Sequence, residues 1–123
     1  MSSRPPPLHA VGARSPAAYA ARREADARLV TELAQCARGD IEAFGRVYDA
    51  TVGRLFALAL VVTRAPDEAE LLLRRTYLSA WRTVCDFDPQ RSSAAAWLAT
   101  ILREAAVDPT RASTPRRSGS TGA

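Results

Sequence analysis

The stretch Asp40–Arg64, DIEAFGRVYDATVGRLFALALVVTR, carries the strongest periodic signal in the chain. Ile41, Phe44, Tyr48, Val52, Leu55, Leu58 or Ala59, and Val62 recur at spacings of three and four. That spacing puts them on one side of a helix. Asp40 suits the position just before the first turn, where a short acceptor side chain can take a free backbone N–H. The reading is therefore a helix over Ile41–Arg64, with the apolar stripe facing a core. Gly45 and Gly53 weaken such a helix without breaking it, and Gly53 is a candidate kink.

Working outward, the preceding segment opens with Ser15-Pro16, an N-cap followed by a proline at the first helical position. From Ala17 to Arg38 there is no Gly or Pro. Its firm part is Arg28–Arg38, with Leu29, Leu33, Cys36 and Ala37 on one face, and Gly39 ends it. On the other side, Ala65-Pro66-Asp67 is a stop followed by a start. A third helix runs from Pro66 to about Val84, with acids early and Arg74, Arg75 and Arg82 later, matching the helix dipole. Its inward face is Ala69, Leu72 or Leu73, Thr76, Ala80 and Val84, flanked by Tyr77 and Trp81. Leu71 and Leu78 form a second apolar strip. After a turn at Asp86–Pro89, Ser92 or Ser93 caps a fourth helix that runs to about Ala106. It buries Ala94, Trp97, Leu98, Ile101 and Ala105, and Asp108-Pro109 terminates it. The expected fold is all-α, a small four-helix bundle over residues 26–108. Residues 1–25 make a disordered or partly helical extension and residues 109–123 a disordered tail, both rich in Pro, Ser, Gly or Arg. The foldable part is enough for one small helical core.

The net charge of +4 is unevenly spread. Residues 1–25 and 109–123 each sum to +3 while residues 26–108 sum to −2, so the basicity belongs to the ends. All seventeen basic residues are Arg. Basic ends alone are a weak sign of a nucleic-acid-binding domain. Cys36 and Cys85 lack metal-ligand spacing, the one histidine, His9, lies near the start, and both thiols are expected to be buried and reduced. No metal or cofactor is expected. There is no signal peptide and no apolar run long enough to cross a bilayer, so a soluble, cytoplasmic protein with no membrane partner is expected. Catalytic patterns are missing: there is no phosphate-binding glycine loop, no His-containing dyad in the foldable part and no nucleophile elbow. The chain does not read as an enzyme.

Three features bear on binding. The turn and helix start over Asp86–Asp108, DFDPQRSSAAAWLATILREAAVD, offer backbone donors, hydroxyls and an aromatic, a surface suited to an anion or a base. Asp86 and Asp88 on that turn read as capping groups. Arg74 either contacts phosphate or an acidic partner with Arg75, or pairs with Glu70 four residues earlier. Trp81 and Trp97 sit near apolar stripes and are read as core residues rather than stacking platforms.

Several separated features agree in order: Ala37-Arg38-Gly39-Asp40, Phe44, Tyr48-Asp49, Ala69-Glu70, Tyr77-Leu78 with Trp81, Phe87-Asp88-Pro89, and Ala96-Trp97-Leu98 with Ile101. Together they resemble region 2 of the sigma-70 family of transcription initiation factors, and most of all the extracytoplasmic-function group. The resemblance covers about Leu29–Asp108, and no region 4 follows it. It implies a protein that docks its third helix on the clamp helices of the RNA polymerase β′ subunit. The docking residues would be Glu70, Leu71, Arg74, Arg75 and Leu78. It further implies that the following loop and fourth helix open the minus-ten promoter element and hold an extruded base, through Arg91, Ser92, Ser93, Thr100, Arg103 and Glu104. An anti-sigma factor or another protein is a further implied partner. The family pattern has an acid at Leu71, Gln-Glu at Arg74-Arg75 and Ala-Arg-Asn at Leu102-Arg103-Glu104. The departures point to a second expectation, a sigma-like interaction module that does not itself initiate transcription.

Overall fold

A computed structural model describes residues 15–108. The expectations for the first fourteen residues and for the tail from Pro109 lie outside the described residues. Four helices account for most of what is described, α1 (Pro16–Cys36), α2 (Ile41–Thr63), α3 (Pro66–Thr83) and α4 (Ala94–Val107). A single 3-10 turn, Val84–Asp86, follows α3. Among the described residues there is no strand, and the architecture is the all-α, four-helix one.

The boundaries follow from capping chemistry. Ser15 Oγ accepts the N–H of Ala18, and Asp40 Oδ1 accepts those of Glu42 and Ala43 at 3.1 Å each. Between α1 and α2 the chain turns on Gly39, at φ +92°. There the Gly39 N–H donates to Cys36 and the Asp40 N–H reaches back to Gln35, a helix-ending pattern that favours glycine. Ala37 thus belongs to the turn and is exposed, not part of the inward face. α2 stops at Arg64, which takes left-handed backbone angles (φ 64°, ψ 17°) without being glycine. α3 starts on Pro66 with no side-chain cap, and carries Asp67 and Glu68 in its first turn and Arg82 in its last. The 3-10 turn ends α3 one residue earlier than the apolar pattern suggests.

α2 packs against all three other helices. Its buried row is Ala43, Val47, Thr51, Leu55 and Ala59. This corrects the expected stripe. Of that stripe only Leu55 and Ala59 are buried, Phe44, Val52 and Leu58 are half-buried, and Ile41, Tyr48 and Val62 are exposed. Small side chains occupy the faces where three neighbours approach, and the large ones are displaced to the flanks. Gly45 and Gly53 lie on the exposed side, and the helix runs through both. On α3 both Leu72 and Leu73 are buried, with Tyr77 as well as Ala69, Thr76 and Ala80. On α4 the buried face includes Leu102, fully enclosed, whereas Trp97 is half-buried at its edge. With neighbours on more than one side, α4 buries a wider face and turns its indole to the rim.

Two hydroxyls are enclosed in this core. Thr51 Oγ1 donates to the Val47 carbonyl at 2.7 Å and lies 2.6 Å from the Tyr77 hydroxyl. The threonine has one proton and spends it on the carbonyl, so the tyrosine is the donor between the two hydroxyls. Thr76 donates to the Leu72 carbonyl. Burial pushes the Tyr77 phenol up to about 12.

Candidate functional site

Between α2 and α3 the displaced side chains border an open groove of about 780 Å³. From α2 it takes Ile41, Phe44, Tyr48, Val52 and Phe56. From α3 it takes Glu70, Leu73, Arg74, Tyr77, Leu78 and Trp81. The aromatic rings form a connected row. Phe44 meets Trp81 edge-on at 5.1 Å, Phe44 meets Tyr77 at 6.2 Å, and Tyr77 meets Tyr48 at 4.8 Å. Ile41 is 62% exposed, Tyr48 44% and Leu78 41%, so the groove opens to solvent at these residues, while Tyr77 in the middle of the row is buried. Leu71 is also exposed but, like Arg75, lies outside the groove lining.

The five α3 residues expected to dock a partner are thus split. Glu70, Arg74 and Leu78 belong to the groove, and Leu71 and Arg75 flank it. The ion pair considered between Glu70 and Arg74 does not form, whereas Arg46 pairs with Glu32 at 3.0 Å. Both groove charges therefore face solvent unpaired by each other. Sequence reasoning treated Ile41, Tyr48, Val52 and Trp81 as core. The signal against that was a second row on the same helix, Ala43, Val47, Thr51 and Ala59, made of small residues suited to close helix crossing.

The loop and α4 form the second candidate surface. Asp88 organises the turn: its Oδ1 accepts the N–H of Gln90 at 2.9 Å and its carbonyl that of Arg91 at 3.0 Å. Arg91 is exposed and Ser92 half-buried. Ser93 caps α4, accepting the Ala96 N–H at 3.0 Å. Thr100, Arg103 and Glu104 lie exposed on the outward face of α4, beyond Ala96. Phe87 and Trp97, 5.1 Å apart, cover the inner side of the loop.

The helix start is already occupied. Asp26, on α1, accepts from Ala94 N–H through one carboxylate oxygen and from Ala95 N–H through the other, both at 3.0 Å. The first three amides of α4 are therefore all taken, so they are not among the donors that the loop and helix start can offer an anion or a base. A nucleic-acid contact at the start of α4 has to use groups other than these three amides. Nothing in the sequence near Asp26 marks it as the cap of a helix 68 residues away.

The thiols also divide. Cys36 is buried, and burial, helped by the Asp40 and Glu32 carboxylates, holds its thiol above the ordinary range. Cys85 is exposed, contrary to expectation, because it lies in the 3-10 turn; its Sγ approaches the Ala37 carbonyl at 3.8 Å. Among the described residues no group of three or more His, Cys, Asp or Glu is placed to hold a metal ion. No described helix is long and apolar enough to cross a membrane.

Residues 47–115, more than half of the chain, match the family described as Sigma-70 region 2. The chain belongs to the sigma-70 region 2 family. This region 2 domain is 40% identical over 80 residues to the ECF RNA polymerase sigma factor SigK of Mycobacterium ulcerans, covering 65% of this chain and 43% of that protein. It is 39% identical over 85 residues to the protein of the same name in Mycolicibacterium vanbaalenii, covering 69% and 43%. It is 37% identical over 79 residues to SigK of Mycobacterium tuberculosis. The region 2 chain thus spans less than half the length of these curated relatives. No solved structure matches it. The match begins at Val47, inside α2, so Ile41 and Phe44 of the groove precede it.

Proposed function

We propose that this region 2 domain binds core RNA polymerase through α3 and contacts minus-ten promoter DNA through the loop after α3 and the outward face of α4. Its general role, that of a sigma-factor-like protein without catalytic chemistry, follows from the family. The observation that supports docking is the exposure of Leu71 and Leu78, 44% and 41%, on one helix beside an open aromatic groove. Large apolar side chains left outside a core in a connected patch mark contact surfaces. Glu70, Arg74 and Arg75 would supply its polar rim, against the clamp helices of the β′ subunit. On the second surface, Arg91 and Arg103 would hold a single strand by its phosphates, while Ser92, Ser93 and Thr100 offer hydroxyls to an extruded base. Glu104 stands beside them as a local repulsion. Such a protein works in the cytoplasm.

A second reading has two observations in its favour. Arg74 and Arg75 make the α3 rim basic where the family carries a polar and an acidic residue, which opposes a basic docking partner. Asp26 and Ser93 consume the amides at the start of α4. On that reading the domain is a sigma-like interaction module, paired with polymerase, an anti-sigma factor or another protein without initiating transcription. Capture of core polymerase by the native chain and by Arg74→Gln/Arg75→Glu, followed by a transcription assay with each, separates the two. Binding by the native chain removes the charge objection; binding with transcription supports the first reading, and binding without it the second. Failure of the native chain with recovery in the double variant supports the second.

A further inference from the structure

We propose that Asp26, on α1, is a positioning residue for strand binding: by holding the start of α4 it keeps Arg91, Ser92 and Ser93 where a single strand meets them. This role rests on the reading of the loop and α4 as the promoter-facing surface. It brings into that surface a helix that carries none of its contacting groups. α1 ends at Cys36, ahead of Val47, where the family match begins. Asp26 precedes Leu29, the first buried residue of α1, and is itself partly buried, so its carboxylate reaches the rim of the core.

The loop is tied to α1 at both of its ends. At one, Cys85 Sγ lies 3.8 Å from the carbonyl of Ala37, the residue that closes α1. At the other, the Asp26 carboxylate takes the amides of Ala94 and Ala95, one oxygen to each, at 3.0 Å. Asp26 and Ala37 stand about 16 Å apart at the helical rise. The chain from Cys85 to Ala94 would reach about 30 Å if extended. The surplus goes into the turn where the Arg91 and Ser92 amides donate to the Asp88 carbonyl. That turn sets its own shape, and the ties set its place on the domain. They are unequal in strength. A thiol is a weak donor, whereas a carboxylate on two amides of a first helical turn gains from charge and from the helix dipole. The other restraints do not replace it. Ser93 accepts from Ala96 and Phe87 packs on Trp97, so both contacts stay with α4. Without Asp26 the amides of Ala94 and Ala95 lose their acceptor and the first turn frays into the loop. A strand then has to re-order Arg91, Ser92 and Ser93, and its apparent affinity falls with the fraction of chains that have them in place.

The test compares the native full chain with Asp26→Ala, with Asp26→Asn, which keeps one acceptor oxygen, and with Thr51→Val. The last disturbs the enclosed hydroxyl pair between α2 and α3 and serves as a destabilised control. All are studied at a temperature where circular dichroism shows each to be folded. In the free chains, hydrogen exchange at the Ala94 and Ala95 amides should quicken in Asp26→Ala and less so in Asp26→Asn. Affinity for a single-stranded minus-ten oligonucleotide should fall about fivefold in Asp26→Ala, the effect of losing a helix cap of ordinary strength, and less in Asp26→Asn. The dependence on salt should keep its native slope, because the same phosphates are held once the strand is bound. Thr51→Val should bind as the native chain does. Native affinity in Asp26→Ala overturns the proposal, and so does an equal loss in Thr51→Val, which would reduce the effect to general stability. Tighter binding by Asp26→Ala with a steeper salt slope also overturns it, since Asp26 would then be a rival of phosphate for the two amides. A native chain that binds no oligonucleotide takes down the promoter-facing reading and this role together, whereas equal binding by native and Asp26→Ala chains removes the role alone.

Discussion

Asp26 and Ala94, 68 residues apart, are joined by a 3.0 Å hydrogen bond, and the same carboxylate takes the amide of Ala95. A side chain of α1 thereby completes the first turn of α4. Asp26→Ala should lower stability by about 2 kcal/mol, since it removes both a helix cap and charge-assisted hydrogen bonds in a partly buried position. Asp26→Asn, which keeps one acceptor, should lose less. Urea unfolding measures both; an unchanged midpoint in the alanine variant would show that the pairing adds nothing.

The hydroxyl pair of Thr51 and Tyr77 gives a second expectation. Thr51→Val leaves the enclosed phenol without an acceptor and should cost about 1–3 kcal/mol. Adding Tyr77→Phe removes the stranded group and should recover part of that loss, a coupling that a double-mutant cycle reads directly.

Tyr77 also ties stability to alkaline pH. Its phenol ionises near 10.0 when free and at about 12 in the fold. Between those values the unfolded chain has released the proton and the folded chain still holds it. Stability is therefore intact below pH 10.0 and falls as pH rises toward 12. Denaturation followed across this range should show a steeper decline for the native chain than for Tyr77→Phe. Equal declines would mean that Tyr77 is not the group responsible.

If α4 holds a single strand by phosphates, Arg91→Ala and Arg103→Ala should each weaken binding to a minus-ten oligonucleotide. Each should also reduce the slope of log affinity against log salt by about 0.7. Glu104→Gln should tighten binding by removing a like charge from the phosphate path. Titrations at several salt concentrations check this, and slopes that do not move would take the strand off this face.

The two thiols should separate under alkylation. In the native protein Cys85 should be modified and Cys36 spared; in denaturant both should react. Mass spectrometry counts the adducts, and modification of Cys36 at the native rate of Cys85 would contradict its burial.

What could be read in the sequence was mainly local. Ser15, Gly39, Asp40, Pro66 and Ser93 act within a few residues, so they locate helix ends to within one or two positions of those observed. The family resemblance rests on the same local order. The site was less legible because its determinants are relational. Whether the Phe44–Tyr48 stripe faces a core depends on how many helices surround α2, and periodicity sees one helix at a time. Asp26 reads as one more charge on a polar helix until α4 is placed against it. Glu70 and Arg74 have the right spacing for a pair, yet spacing only permits a contact between two exposed, freely rotating side chains.

The two faces of α2 answer to different demands. Small residues on one side let the helices close upon each other, while the rings on the other side meet the exterior. Substitutions on the outer face can therefore change what the domain recognises without dismantling the packing beneath. A lineage carrying this scaffold could exchange one binding partner for another by altering that face, keeping its folded form throughout the exchange.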